Sequence, residues 1–192
     1  MKIIIYSLNF MPEKVGIGKY SGELAQFLSE KGNQIRVICA PQYYPEWQTK
    51  NNNYFTEKKE KLTIHRCPLY VPKQPNGIKR LLHLISFSIT SLPILLSQIK
   101  WKPDIIILIS PSILCAVNLL LFRLISFKKI IYHLHIQDFE IDAAFSLGIL
   151  RGKFITKLIS FFELLIFKNF NFVSTISKSM MKLLISKGIN NK

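Results

Sequence analysis

The sequence predicts an α/β fold built on a doubly wound parallel sheet. Three observations carry that prediction. Short, continuous apolar runs recur at residues 2–8, 34–39, 104–110 and 130–135, and such runs mark strands buried on both faces. Stretches with apolar residues at helical spacing lie between them, the alternation that parallel strands with crossover helices require. The 192 residues are 49% apolar and 19% charged, which suffices for one domain with its own core. That composition excludes a disordered tail, a collagen-like repeat and a disulfide-stapled mini-protein.

Taken in order, Lys2-Ile3-Ile4-Ile5-Tyr6-Ser7-Leu8 is the first strand. A loop leads to a helix over residues 20–31, with Leu24, Phe27 and Leu28 at helical spacing and Gly32 as its C-terminal cap. Residues 34–39 form a second strand, stopped by Pro41. Residues 41–61 are rich in Asn, Lys and Tyr without periodicity and read as a long surface loop. A short third strand covers 63–66, and a helix covers 78–99 with a kink expected at Pro93. Strand 104–110, a helix over 112–127 and strand 130–135 follow. The chain then has an amphipathic helix over 153–168, a sixth strand over 170–174 and a final helix over 177–187 capped by Gly188.

Two windows, 81–99 and 105–122, carry no Lys, Arg, Asp or Glu and approach the ~20 residues of a membrane span. Pro93 and Pro111 interrupt them, and 104–110 repeats the strand pattern, so a buried strand and core helices are the stronger reading. The apolar run after Lys2 is ended by Pro12 and Glu13 with no small-residue cleavage site, which disfavours a secretory signal. Cys39, Cys67 and Cys115 are far apart in sequence and form no C-x-x-C pair, so a reducing cytoplasm is expected.

The formal net charge is +15 and it is unevenly spread. Residues 61–103 contribute +7 without one acidic side chain, and residues 143–192 contribute +7 with Glu163 alone opposing. Both segments also carry long apolar helical runs. Basic and apolar character together favours an anionic membrane surface. Nucleic acid is disfavoured, because neither interleaved exposed aromatics nor a recognition helix is present. On the 153–168 helix, Lys153 and Lys157 lie one turn apart and Phe154, Leu158, Phe161 and Leu165 make an apolar stripe. That stripe either meets the membrane or packs on the sheet.

Two stretches have the residue types for chemistry. In the loop 9–20, Gly16-x-Gly18-x-x-x-Gly22 precedes a helix, where backbone N–H groups and the helix dipole attract a phosphate. The spacing is not G-x-G-x-x-G, and Cys39-Ala40-Pro41 stands where a dinucleotide fold places its acid, so NAD binding is disfavoured. The second stretch is Tyr132-His133-Leu134-His135-Ile136-Gln137-Asp138-Phe139-Glu140-Ile141-Asp142. His135 and Asp138 lie at the carboxyl end of the fifth strand, where open α/β sheets bind ligands. His135 can hydrogen-bond a sugar hydroxyl or phosphate, with Asp138 orienting it, while His133 lies deeper and reads as a core histidine. Nothing fixes a third ligand for a metal, and no G-x-S-x-G, H-E-x-x-H or P-loop occurs.

The opening strand, Asn9-Phe10-x-Pro12-Glu13 and Gly16-Ile17-Gly18-Lys19-Tyr20 resemble the start of a family 4 glycosyltransferase. Ala40-Pro41-x-Tyr43-Tyr44-Pro45-Glu46-Trp47 and the run 66–75 resemble more closely the colanic-acid-type exopolysaccharide glycosyltransferases. So do the runs 79–84, 101–104, His135-Ile136-Gln137-Asp138 and Ser174-Thr175-Ile176-Ser177-x-Ser179-Met180-Met181. The resemblance implies a GT-B enzyme of two Rossmann-like domains, of which residues 1–192 are the N-terminal, acceptor-side one. It implies a retaining, metal-independent transfer with a nucleotide-diphosphate sugar as co-substrate and no further cofactor. Gly16, Ile17 and Gly18 would approach the donor phosphate, His135 the transferred sugar with Asp138 in support, and Tyr20, Tyr44, Glu46 and Trp47 the acceptor side of the cleft. The acceptor implied is a polyprenyl-pyrophosphate-linked glycan, at the inner face of the cytoplasmic membrane. The family's second, donor-binding domain lies outside this sequence. Two other expectations therefore stand beside a complete enzyme: an acceptor-binding module docked on a separate donor-binding subunit, and a non-catalytic remnant.

Overall fold

Runs of β-branched residues dictate the centre of the sheet. The computed structural model describes residues 1–110, 114–139 and 153–189, with side chains omitted over 153–160. Its elements are β1 (Lys2–Ser7), α1 (Gly16–Glu30), β2 (Gln34–Cys39), β3 (Phe55–Lys59), β4 (Leu62–Arg66), α2 (Gly77–Ser97), β5 (Ile105–Ser110), α3 (Cys115–Ile125), β6 (Ile131–Ile136), α4 (Lys153–Lys168), β7 (Phe172–Thr175) and α5 (Lys178–Ser186). The strands form one sheet in the order β3-β4-β2-β1-β5-β6-β7. Ile3, Ile4 and Ile5 of β1 pair with Ile105, Ile106 and Ile107 of β5, in the middle, where both faces are covered.

All pairs are parallel except β3–β4, which is antiparallel. The expected parallel, doubly wound sheet is present, with β3 as an antiparallel addition at its edge, and the expected loop over 41–61 is corrected: β3 lies inside that stretch. Phe55-Thr56-Glu57-Lys58-Lys59 is polar because it is an edge strand, where Lys and Glu face water and blunt the free edge. α1 also starts at Gly16, four residues before the helix expected from periodicity, because its first turn packs glycines rather than large apolar residues. α2 runs through Pro93 to Ser97, with a 3-10 turn over Gln98–Trp101. Gly32 and Gly188 end α1 and α5 at φ +88° and +91°, the left-handed conformation that favours glycine.

The two faces of the sheet carry separate cores. On one, Ile3, Ile5, Ile35, Val37, Ile107 and Ile109 meet Ala25, Leu24 and Leu28 of α1. On the other, Ile4, Tyr6, Ile106, Leu108, Tyr132 and Leu134 meet Phe87 and Leu95 of α2, Leu119 and Phe122 of α3, and Phe167 of α4. Because β1 is flanked by β2 and β5, the winding reverses there, at the carboxyl ends where open α/β sheets bind their ligands.

The second helical layer is turned against the usual polarity. Facing inward, α2 presents His83, Ser91 and the following Gln98 beside Phe87 and Leu95. Facing outward, it presents Ile78, Leu81, Leu82, Ile85 and Ile89, spaced as one helical stripe. Alone among the described helices, α2 with its 3-10 turn is long and apolar enough to cross a membrane, yet its inward stripe packs on the sheet. α3 repeats the pattern with Asn118 inward and Val117, Leu121, Leu124 and Ile125 outward, and Phe127 beyond it is fully exposed. In α4, Glu163 and Phe167 turn inward while Phe161, Phe162 and Leu165 are exposed. The described part of the expected α4 stripe, Phe161 and Leu165, therefore faces solvent. Its other members, Phe154 and Leu158, and Lys153 and Lys157, have side chains outside the described residues.

Most of the inward polar groups are paired, as burial demands, although among the described residues His83 Nε2 and Tyr132 Oη are buried without a hydrogen-bond partner. Tyr6 Oη and Ser91 Oγ share a hydrogen bond, and Asn118 Nδ2 donates to Tyr6 Oη at 2.9 Å and to the Ser88 carbonyl at 2.7 Å. Arg36 donates to Gln98 Oε1 at 2.6 Å, and Lys187 Nζ meets Glu163 Oε2 at 2.7 Å.

Candidate functional site

Strand register brings the two sequence-predicted stretches to one end of one face. Ser7 of β1 pairs with Ile109 of β5, Ile109 with His135 of β6, and His135 with Ser174 of β7. Parallel partners in register point to the same side, here the side that α1 covers. His135 therefore lies two strand spacings, about 10 Å, from the point where the chain leaves β1 for the glycine loop.

That loop is built on a buried carboxylate. Glu13, only 4% exposed, accepts from Asn9 Nδ2 at 3.0 Å and from the Tyr44 and Tyr43 backbone N–H groups at 3.2 and 3.4 Å. Asn9 Nδ2 also donates to Tyr43 Oη at 3.0 Å. Burial raises the Glu13 pKa, against the opposing pull of these hydrogen bonds and of Arg66. Arg66 braces the same loop by donating to the Met11 and Ala40 carbonyls at 2.6 and 3.0 Å. One carboxylate thus ties the glycine loop to the 43–47 loop.

The glycines divide by role. Gly16 is exposed at φ +55°, and nothing stands within 4 Å of the place a Cβ would occupy. Gly18 is buried, and a Cβ there would overlap the Glu13 side chain. Gly22 likewise lies against Met11. So Gly16 is the glycine that leaves open space, while Gly18 and Gly22 let α1 lie close over the loop. The α1 N-terminus has Val15 as its cap, with no side-chain hydrogen bond and no acidic residue in the first turn. Its orphan N–H groups at Gly16, Ile17 and Gly18 are not satisfied by a capping side chain.

On the 43–47 loop, Tyr44 and Glu46 are exposed. Trp47 is half-buried, in the left-handed conformation at φ +53°, with Tyr43 5.6 Å away edge-on, His83 at 5.3 Å and the Arg80 guanidinium over its ring at 5.6 Å. Tyr20 is exposed on α1, apart from the helix's buried stripe of Gly18, Ser21, Gly22 and Ala25.

His135 is half-buried at the end of β6, and burial lowers its pKa. Its Nδ1 lies 2.9 Å from Ser174 Oγ, and the same hydroxyl lies 2.8 Å from His133 Nε2. His133 is no deeper than His135: both are half-buried, a correction to its reading as a core histidine. The Asp138 side chain is exposed, and its backbone carbonyl accepts from Ser110 Oγ at 3.0 Å. Ser174 rather than Asp138 holds the His135 ring. Glu140, Ile141 and Asp142, and Pro111, lie outside the described residues. Asn9, Glu13, Arg66 and Ser174 stand in the runs that carry the family resemblance, but the sequence alone gives none of them a role. Period-two alternation places His133 and His135 on one face, but only the β6–β7 register reveals what stands opposite.

Residues 15–192 match the model of the glycosyl transferase 4-like domain. The chain belongs to the glycosyl transferase 4-like family. It is 45% identical over 195 residues to the Escherichia coli (strain K12) protein named as a colanic acid biosynthesis glycosyl transferase, WcaI. That alignment takes in 98% of this chain and 47% of WcaI, so the chain spans about half the length of the curated relative it matches. Among solved structures, the catalytic domain of starch synthase IV from Arabidopsis thaliana, bound to ADP and acarbose, superposes with a TM-score of 0.54. It shares 18% identity over 72% of this chain and 34% of that one, a likeness of fold. The seven-stranded, mostly parallel α/β sheet is thus the Rossmann-like fold of a GT-B glycosyltransferase.

Proposed function

We propose that the intact protein transfers a sugar from a nucleotide-diphosphate sugar to a lipid-linked glycan in exopolysaccharide assembly. The observation that supports this reading is the shared end and face of β1 and β6: the loop to the uncapped α1 N-terminus at Gly16–Gly18 leaves β1 at the carboxyl end and on the face where β6 carries His135, beside the switch point. The leaving group of such a transfer is a nucleoside diphosphate, whose developing negative charge suits oriented N–H groups in a crevice. His135 positions the sugar being transferred. Tyr44, Glu46, Trp47 and Tyr20 serve the acceptor side. The transfer retains configuration, uses no metal, and draws its nucleotide contacts from a second domain or subunit.

The acceptor is a polyprenyl-pyrophosphate-linked sugar, and the protein works peripherally at the inner face of the cytoplasmic membrane. The support is the outward apolar stripes of α2 and α3, flanked by exposed Arg80, Lys100, Arg123 and Lys129. Anionic lipid satisfies both features together. The reading is tested by incubating the intact protein with a panel of nucleotide-diphosphate sugars and membrane vesicles carrying lipid-linked acceptors. Mass spectrometry of the lipid fraction should show one acceptor heavier by a single sugar residue. An unchanged lipid fraction across the panel, with free sugar accumulating instead, would identify a hydrolase and sink the proposal.

A further inference from the structure

We infer that Ser174 and His133 are positioning residues that hold His135 in its Nε2–H tautomer. The geometry is a three-member chain across β6 and β7. Ser174 Oγ stands 2.8 Å from His133 Nε2 and 2.9 Å from His135 Nδ1. The two rings are 6.4 Å apart and nearly perpendicular, so the hydroxyl is their link rather than stacking.

A hydroxyl has one proton to donate. Burial lowers the pKa of both histidines, and His135 lowers that of His133 further, so both rings are neutral at pH 7. Its oxygen could accept from both rings only if its own proton found a third partner, and among the described residues Ser174 Oγ has none; it therefore donates to one ring and accepts an N–H from the other. Two arrangements satisfy this. In the first, His133 Nε2–H donates to Ser174 Oγ, and Ser174 O–H donates to His135 Nδ1. In the second, every donor and acceptor is exchanged. The first places both histidines in the Nε2–H form, the tautomer a neutral histidine side chain prefers in water. The second forces both into the less favoured Nδ1–H form. The chain of hydrogen bonds therefore runs from His133 through Ser174 to His135.

The consequence is at the far side of the ring. Among the described residues nothing bonds His135 Nε2. With Nδ1 occupied as an acceptor, His135 offers Nε2–H as a hydrogen-bond donor with a fixed ring orientation. In turnover this deepens the reading of His135 proposed above, and rests on it. The tautomer itself does not.

The test pairs two variants of equal shape, Ser174→Thr and Ser174→Val, both suited to a strand, so that any packing cost is common to both. In protein labelled with 15N-histidine, long-range 1H–15N correlations report the tautomer of each of the four histidines. Wild type and Ser174→Thr should show His135 protonated at Nε2 and not at Nδ1. Ser174→Val should show a mixture. With the intact enzyme, Ser174→Val should lower kcat by about fivefold, the worth of one neutral hydrogen bond. It should leave the KM for the nucleotide sugar unchanged, and Ser174→Thr should restore kcat. His135 protonated at Nδ1 in wild type, or identical tautomers in the Thr and Val variants, would overturn the inference whatever the turnover. Full turnover in His135→Ala would instead end the proposed role of His135 and leave the tautomer result standing.

Discussion

The helices on the two sides of the sheet obey opposite rules. α1 lies on its face through small residues, Gly18, Ser21, Gly22 and Ala25, and its Gly18 packs on the buried Glu13, which Asn9 and the Tyr43 and Tyr44 backbone hold by hydrogen bonds. α2 and α3 lie on the other face through a mixture that includes His83, Ser91, Gln98 and Asn118, and turn their Ile and Leu stripes to solvent. The difference shows that amphipathic strength does not reveal which face of a helix is inside. On α1 the close approach organises a loop at the switch point. On α2 and α3, Ser91, Gln98 and Asn118 are paired inside the protein, and the Ile and Leu stripes stand at the surface.

The sharpest way to break this contrast is to remove the carboxylate. Glu13→Ala leaves Asn9 Nδ2 and the Tyr43 and Tyr44 N–H groups without their acceptor, and should destabilise the fold by about 3 kcal/mol. Urea unfolding measures it. Ile85→Glu on the outward stripe of α2 should change stability by no more than about 0.5 kcal/mol. Equal losses in the two variants would mean that the stripe is as structural as the Glu13 network.

His135→Ala in the intact enzyme should lower turnover at least tenfold, a barrier increase of ~1.4 kcal/mol. Initial rates of sugar transfer report it, and unchanged rates would remove His135 from the site. Next in size is the membrane face. Leu124→Glu should weaken sedimentation with anionic vesicles about fivefold, the ~1 kcal/mol carried by one charge near such a surface. Binding by wild type that persists in ~1 M salt would show apolar insertion rather than charge alone.

The smallest effect is on pH. Burial lowers the pKa of His83, His133 and His135, so the unfolded chain takes up protons near pH 6.5 before the folded one does. Their share of stability is complete above that pH and declines as pH falls from 6.5 through the lowered folded values. Glu13, whose pKa is raised, acts in the opposite sense at lower pH. The urea midpoint should be lower at pH 5.5 than at pH 7.5, and the gap should shrink in His83→Gln. An equal gap would show that His83 titrates as it does in the unfolded chain.

Much of the sheet was legible because central parallel strands are buried on both faces and read as continuous apolar runs. Residues 34–39 match β2 residue for residue. β3 was hidden because an edge strand needs no apolar pattern, only a partner, and that partner, β4, is set by tertiary register. The start of α1 was hidden for a related reason: glycines that permit close packing look like a loop. Gly16 and His135 stand out as residue types suited to phosphate and sugar. Ser174 does not, because a serine on a strand acquires meaning only from what the neighbouring strand places opposite it, here His135. Asp138 shows the converse, a plausible acid three residues away whose side chain is turned to solvent.

The central claim, that the molecule meets the membrane with α2 and α3 while its glycine loop stays in water, has one direct measurement. Cys39, Cys67 and Cys115 are all buried, so introduced surface cysteines can be labelled selectively. Single variants Ile85→Cys, Leu124→Cys and Lys14→Cys would each carry an environment-sensitive fluorophore and be mixed with anionic vesicles containing brominated lipid. Strong quenching at positions 85 and 124 with none at 14 is the predicted result. Quenching at 14, or none at 85 and 124, would contradict it.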